Sequence, residues 1–79
     1  MDEKNIYLIK DLSRLSGLSV YTIKYYLKLG LVKEVSRSQE TNFRYFDNST
    51  LGVLKKIIGL RKDMSLAKIK TILEKEKAL

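Results

Sequence analysis

The stretch from Ser19 to Leu29 holds the side chains best suited to chemistry. Read as a helix from about Val20, it carries Tyr21, Tyr25 and Lys28 at i, i+4 and i+7, on one face, with Thr22 and Lys24 beside them. Val20, Ile23 and Leu27 fall on the opposite side as an apolar stripe. Phenols, ammonium groups and a hydroxyl on an exposed face suit an anionic groove: hydroxyls and ammonium groups reach phosphates, and long side chains near the helix start reach base edges. Ser19 is a good N-cap, and the helix start behind it offers unpaired amides and a partial positive charge to a phosphate. Tyr26 borders the apolar stripe and reads as a core-edge residue. Tyr25 lies near the middle of the polar face and reads as a contact.

The charge of the whole chain agrees with that chemistry. Lys plus Arg number 16 against 9 Asp plus Glu, a net +7 on 79 residues. Residues 12–62 hold ten basic residues, Arg14, Lys24, Lys28, Lys33, Arg37, Arg44, Lys55, Lys56, Arg61 and Lys62, against Glu34, Glu40 and Asp47. Ten minus three is +7, so the entire excess lies in this span. A small domain charged this way points to a polyanion, with duplex DNA leading; charge that merely keeps the domain soluble is the plainer alternative. Lys55, Lys56, Arg61 and Lys62 group together and read first as a solvated face.

The missing residues narrow the classes further. With no His and no Cys, the commonest general base, the commonest metal ligands and all disulfides are gone. The carboxylates are scattered and no phosphate-cradling glycine run exists, so neither an enzyme, a cofactor nor a metal is expected. RNA is disfavoured for want of an aromatic platform on a sheet. Charges interrupt every apolar stretch well short of the roughly 18 residues of a membrane span, and no signal-peptide core is present. The expectation is a soluble, cytoplasmic, nucleoid-associated protein with no membrane partner.

The elements that must position these groups are legible from caps and periodicity. The length makes residues 1–79 one small domain with a marginal core. Ile9, Leu12 and Leu15 recur at helical spacing, and Gly17 falls where a left-handed cap belongs. Leu18 fills the corner before the second helix, which Gly30 ends, so residues 9–29 form a helix-turn-helix pattern. The β-branched run at Leu31–Arg37, a polar turn at 38–42 and Phe43–Phe46 predict a hairpin, the wing, over about 32–46. Asp47 caps a third helix over about 48–62, where Phe46 is placed to staple onto Leu51 and where Leu51, Leu54, Ile57 and Ile58 face inward. Gly52 and Gly59 share a face of that helix and suggest close packing against the hairpin. Ser65 caps a fourth helix over about 65–77 with Leu66, Ile69, Ile72 and Leu73 buried, and Ile6-Tyr7-Leu8 reads as a short strand. The fold class is therefore mainly α with a small β-hairpin: a winged helix-turn-helix of about four helices plus a wing.

The run Gly17-Leu18-Ser19-Val20-Tyr21-Thr22-Ile23-Lys24-Tyr25-Tyr26, followed by Gly30-Leu31, resembles the signature of the MerR family of winged helix-turn-helix regulators, roughly G-V-S-x-x-T-I-R-Y-Y and then G-L. Asn42-Phe43-Arg44-Tyr45-Phe46 is similar to that family's wing sequence G-Y-R-x-Y. Leu60-Arg61 and Ser65-Leu66 through Ile69 resemble its L-R and S-L-x-x-I pattern, so the likeness runs over about residues 7–73. The resemblance implies that the second helix enters the major groove, with Tyr21 at a variable specificity position, Lys24 at a position usually held by Arg, and Tyr25 on the DNA backbone. It implies that Arg44 contacts the backbone or minor groove from a wing to which Arg37, Asn42 and Tyr45 belong. Three departures stand out: Lys24 keeps the charge but loses Arg's planar fork, Asn42 replaces the wing glycine, and Leu27 stands where many members carry an acid. Strict alternation also places Arg44 and Phe46 on one strand face, which cannot serve DNA and core together unless the strand twists or ends there.

The resulting expectation is sequence-specific binding of double-stranded DNA by a bacterial-type transcription regulator. Ser19, Tyr21, Thr22, Lys24, Tyr25, Lys28, Arg37, Asn42, Arg44 and Tyr45 form the candidate contact set. An excisionase-like architectural factor that bends DNA is the near alternative, and a basic protein-interaction module the distant one. The family's long dimer-forming helix and effector domain have no counterpart in residues 74–79, so the sequence reads either as a stand-alone domain or as part of something longer. Self-association would then occur on DNA, as a dimer or on cooperative repeats.

Overall fold

The computed structural model describes residues 6–78. Four helices follow in order, α1 Ile9–Ser16, α2 Val20–Leu29, α3 Asn48–Leu60 and α4 Leu66–Ala78, with strands β1 Ser36–Arg37 and β2 Arg44–Tyr45 between α2 and α3. The helix ends obey local chemistry. Ser19 caps α2 by accepting from the Thr22 amide at 3.1 Å, and Asp47 caps α3 by accepting from Ser49 at 3.0 Å. Leu8 has no capping side chain; the Asp11 carboxylate reaches back to accept from the Leu8 amide at 2.9 Å. Gly17 (φ 82°) and Gly30 (φ 83°) end α1 and α2 in the left-handed conformation that glycine adopts without a Cβ clash.

The core is drawn from all four helices and the segments beside the hairpin: Leu12, Ile23, Tyr26, Leu31, Val32, Phe46, Leu54, Ile57, Ile69 and Leu73 are buried. Leu51, Leu66 and Leu18 pack against it in part, Leu18 at the corner between α1 and α2. Leu15, expected inside with Ile9 and Leu12, is 41% exposed, since α1 ends one residue later and Leu18 covers the core at that corner. The buried face of α2 is also rotated from the expected stripe. Ile23 and Tyr26 are its buried residues, while Val20 and Leu27 are only half-buried.

The hairpin is shorter than the run of β-branched residues suggested. Leu31 and Val32 belong to the core rather than to a strand, because the left-handed turn at Gly30 folds the chain back and the Leu31 amide donates to the Tyr26 carbonyl at 2.9 Å. The strands pair antiparallel, Ser36 with Tyr45 and Arg37 with Arg44. Asn42 takes φ 63°, the left-handed turn residue that stands in for a glycine there. The conflict between Arg44 and Phe46 dissolves because β2 ends at Tyr45. Phe46 leaves β1 and pairs instead with Tyr7, whose amide donates to the Phe46 carbonyl at 2.7 Å and whose carbonyl accepts at 2.8 Å. The N-terminal strand is thus a single bridge at Tyr7, with Leu8 already the N-cap of α1.

Gly52 and Gly59 do not pack against the hairpin. Both are exposed, and a Cβ at either would meet nothing within 4 Å, because Leu54 and Ile57 turn the opposite side of α3 to the core. Open space at Gly52, inside a helix, makes Gly52→Ala stabilising. The gain expected is about 0.5–1 kcal/mol from backbone entropy, read as a thermal midpoint a few degrees higher.

Candidate nucleic-acid interface

The candidate residues occupy two adjoining zones. One is the exposed face of α2, about 15 Å long for its ten residues. There Tyr21 is 86% and Tyr25 51% exposed, with Lys24 and Lys28 exposed between and beyond them. Tyr26, whose ring centroid lies 6.4 Å from that of Tyr25, is buried, so two neighbouring phenols point to opposite duties. At the head of the helix the Ser19 hydroxyl donates to the Thr22 hydroxyl at 3.0 Å while accepting from the Thr22 amide. Both hydroxyls are thus engaged locally at the exposed start of the helix.

The second zone is a groove between the start of α1, α2 and the wing, lined by Leu8, Ile9, Lys10, Lys24, Arg37, Asn42, Phe43 and Arg44. Four candidate residues meet here: Lys24 from α2, and Arg37, Asn42 and Arg44 from the hairpin. The hairpin brings them in because its turn is tightly closed, with Ser38 donating to the Phe43 carbonyl and Asn42 to the Ser38 carbonyl, each at 2.9 Å. Tyr45 lies outside the groove, half-buried, with its carbonyl accepting from the Val35 amide at 2.8 Å. Ser19, Tyr21, Thr22, Tyr25 and Lys28 also lie outside it, along α2.

Four lining residues, Leu8, Ile9, Lys10 and Phe43, are outside the candidate set read from the sequence. Lys10 stands in the first turn of α1, where a cation opposes the positive end of the helix dipole; that unfavourable placement was its available signal. Phe43 is 54% exposed, an apolar side chain left in solvent beside Arg44. The lining therefore carries four cations, Lys10, Lys24, Arg37 and Arg44, two of them paired with the Glu34 carboxylate. A concave surface with an excess of one sign concentrates its field on an approaching anion. Among the described residues no group of His, Cys, Asp or Glu is arranged to hold a metal ion, and no helix is long and apolar enough to cross a membrane.

A helix-turn-helix whose second helix presents a polar face, flanked by a basic two-stranded wing, defines a winged helix-turn-helix domain. The chain belongs to the MerR family of helix-turn-helix regulatory proteins, whose family model matches residues 7–76. It is 32% identical over 77 residues to the HTH-type transcriptional regulator CueR of Bacillus subtilis, covering 96% of this chain and 52% of that one. The chain thus spans about half the length of this curated relative. Among solved structures it is similar to HiNmlR, a MerR family regulator lacking the sensor domain and bound to promoter DNA. That likeness has a TM-score of 0.83 at 29% identity, over 94% of this chain and 56% of that one. A MerR family transcriptional regulator from Bacillus cereus superposes with a TM-score of 0.79 at 24% identity over 87% of this chain and 52% of its own, a likeness of fold.

Proposed function

We propose that this domain binds double-stranded DNA sequence-specifically and regulates transcription, with α2 in the major groove and the wing on the adjacent backbone. The observation that carries the reading is the groove in which Lys24 of α2 meets Arg37 and Arg44 of the wing. A helix and a hairpin joined by one cationic surface match a duplex, whose groove edge and flanking phosphates lie side by side. The similar HiNmlR structure is bound to promoter DNA, which supports DNA as the partner. In this arrangement Tyr21 reads bases, because among the described residues it is the most exposed of the large hydrophobic side chains and lies in the first turn of α2. Lys24, Tyr25, Lys28, Arg37, Arg44 and Lys10 meet phosphates, and Asn42 and Tyr45 shape the wing that delivers the arginines.

Base readers and backbone binders respond differently to substitution, and that difference tests the reading. Tyr21→Ala is expected to change which duplex sequences are preferred while leaving the salt dependence of binding nearly unchanged. Tyr25→Phe removes one hydroxyl from the backbone side and is expected to weaken all duplexes alike, by roughly 10–100-fold for a hydrogen bond to a charged group. Competitive titrations with a panel of fluorescent duplexes separate the two patterns. A Tyr21→Ala protein with wild-type preferences would refute the assignment of α2 as the reading helix.

A further inference from the structure

The hairpin register sets Arg37 directly opposite Arg44. Residues paired this way project from the same face of the ladder, and like charges facing each other weaken it. The structure supplies an anion between them. Glu34, three residues before Arg37, places Oε2 3.4 Å from Arg37 Nη2 and Oε1 3.9 Å from the Nε of Arg44. Each oxygen of one carboxylate thus serves one of the two wing arginines.

We infer that Glu34 is a built-in surrogate for phosphate: it holds the two wing arginines in the free protein and yields them to the DNA backbone on binding. The inference rests on the DNA-binding reading above and adds a residue that opposes it. Geometry decides between a surrogate and a permanent strut. The contacts are long for charge-assisted bonds, and the arginine side chains are 44% and 42% exposed, so solvent screens the pairs and they hold weakly. A phosphate offers the same guanidinium groups shorter bonds and releases counterions as it does so. A carboxylate left beside that phosphate is a like charge close to the contact. Glu34 therefore lowers affinity for any duplex, trimming the sequence-independent part of binding.

The test compares wild type, Glu34→Gln and Glu74→Gln, the last removing an equal charge from an exposed position on α4. The Kd for a random-sequence duplex is measured across a salt series from about 50 to 200 mM. Glu34→Gln is expected to bind roughly 3–10-fold tighter at the low end, with a salt slope steeper by about one. Glu74→Gln is expected to change Kd less than about 2-fold, as an exposed, screened charge outside the groove should. Adding Arg44→Ala to Glu34→Gln should remove most of the gain, because one of the liberated contacts is gone. Glu34→Ala, which keeps no polar group, should shift affinity in the same direction. Unchanged or weaker binding by a folded Glu34→Gln protein overturns the inference and makes Glu34 a bystander or a strut. An equal gain from Glu74→Gln also overturns it, leaving only net charge. If the wild type binds no duplex at low salt, the DNA-binding reading falls and this inference with it; if the wild type binds and Glu34→Gln does not differ, only this inference falls.

Discussion

Phe46→Ala is expected to leave most of the domain unfolded at room temperature. Phe46 is wholly buried and ties three parts of the chain together. Its backbone pairs with Tyr7, its side chain lies in the core, and it immediately precedes Asp47, the cap of α3. Truncating a buried phenylalanine costs about 3–5 kcal/mol through lost transfer energy and the cavity left behind. A single core below about 80 residues seldom supplies more than 3–5 kcal/mol in total, so loss and reserve are of the same size. Circular dichroism of the variant should show helical signal that returns only when a stabilising osmolyte is added. Ile57→Val, at an equally buried site on α3, removes one methylene and should cost only about 0.5–1.5 kcal/mol, keeping a cooperative transition. A Phe46→Ala protein as stable as wild type would mean that the core is not organised around this residue.

The second large effect concerns binding and spares the fold. Lys24 and Arg44 come from different elements and face one groove, and both are exposed, so replacing them with alanine leaves the core intact. A hydrogen bond to a charged group is worth about 1.5–3 kcal/mol, and each phosphate contact adds about 0.9 to the slope of log K against log salt. Arg44→Ala is expected to weaken binding roughly 10–100-fold on every duplex and to flatten the salt slope by about one. The Lys24→Ala, Arg44→Ala double variant should flatten it by about two. Titration by fluorescence anisotropy at several salt concentrations gives both quantities at once. Loss of affinity confined to one sequence, with the slope unchanged, would place Arg44 on a base rather than on the backbone.

What could be read from the sequence was whatever depends on neighbours in the chain. Ser19, Asp47, Gly17 and Gly30 act within a few residues of themselves, and they cap their helices as their chemistry requires. The αL conformation of Asn42 belongs to the same class. Rotation of a helix about its own axis does not, because it depends on what lies across the core. Hence Tyr26 is buried where Leu27 was expected, and Gly52 and Gly59 face solvent although their shared face was correctly inferred. Residue 46 shows the limit most clearly. Period-two alternation opposed Arg44 to Phe46 only while both were assigned to one strand, and the partner that ends that strand is Tyr7, 39 positions away along the chain.

The groove was hidden for the same reason. Arg37 and Arg44 were candidates on charge and resemblance, but their direct opposition follows from the register of a hairpin whose turn residues left several pairings open. Lys10 entered only when α1, α2 and the wing were placed side by side. Glu34 could be seen only as an acid near a turn until its carboxylate was found between two arginines. Contacts that join elements distant in sequence thus account for most of what the structure added.

The central claim, that α2 reads sequence while the wing grips the backbone, is tested most directly by selecting the wild-type domain against a pool of randomised duplexes near physiological salt and sequencing what it retains. Enrichment of a defined motif, altered in Tyr21→Ala and preserved but weakened in Arg44→Ala, is the predicted result. Retention without any enriched motif, collapsing as salt rises, would contradict the claim and reduce the interface to phosphate binding alone.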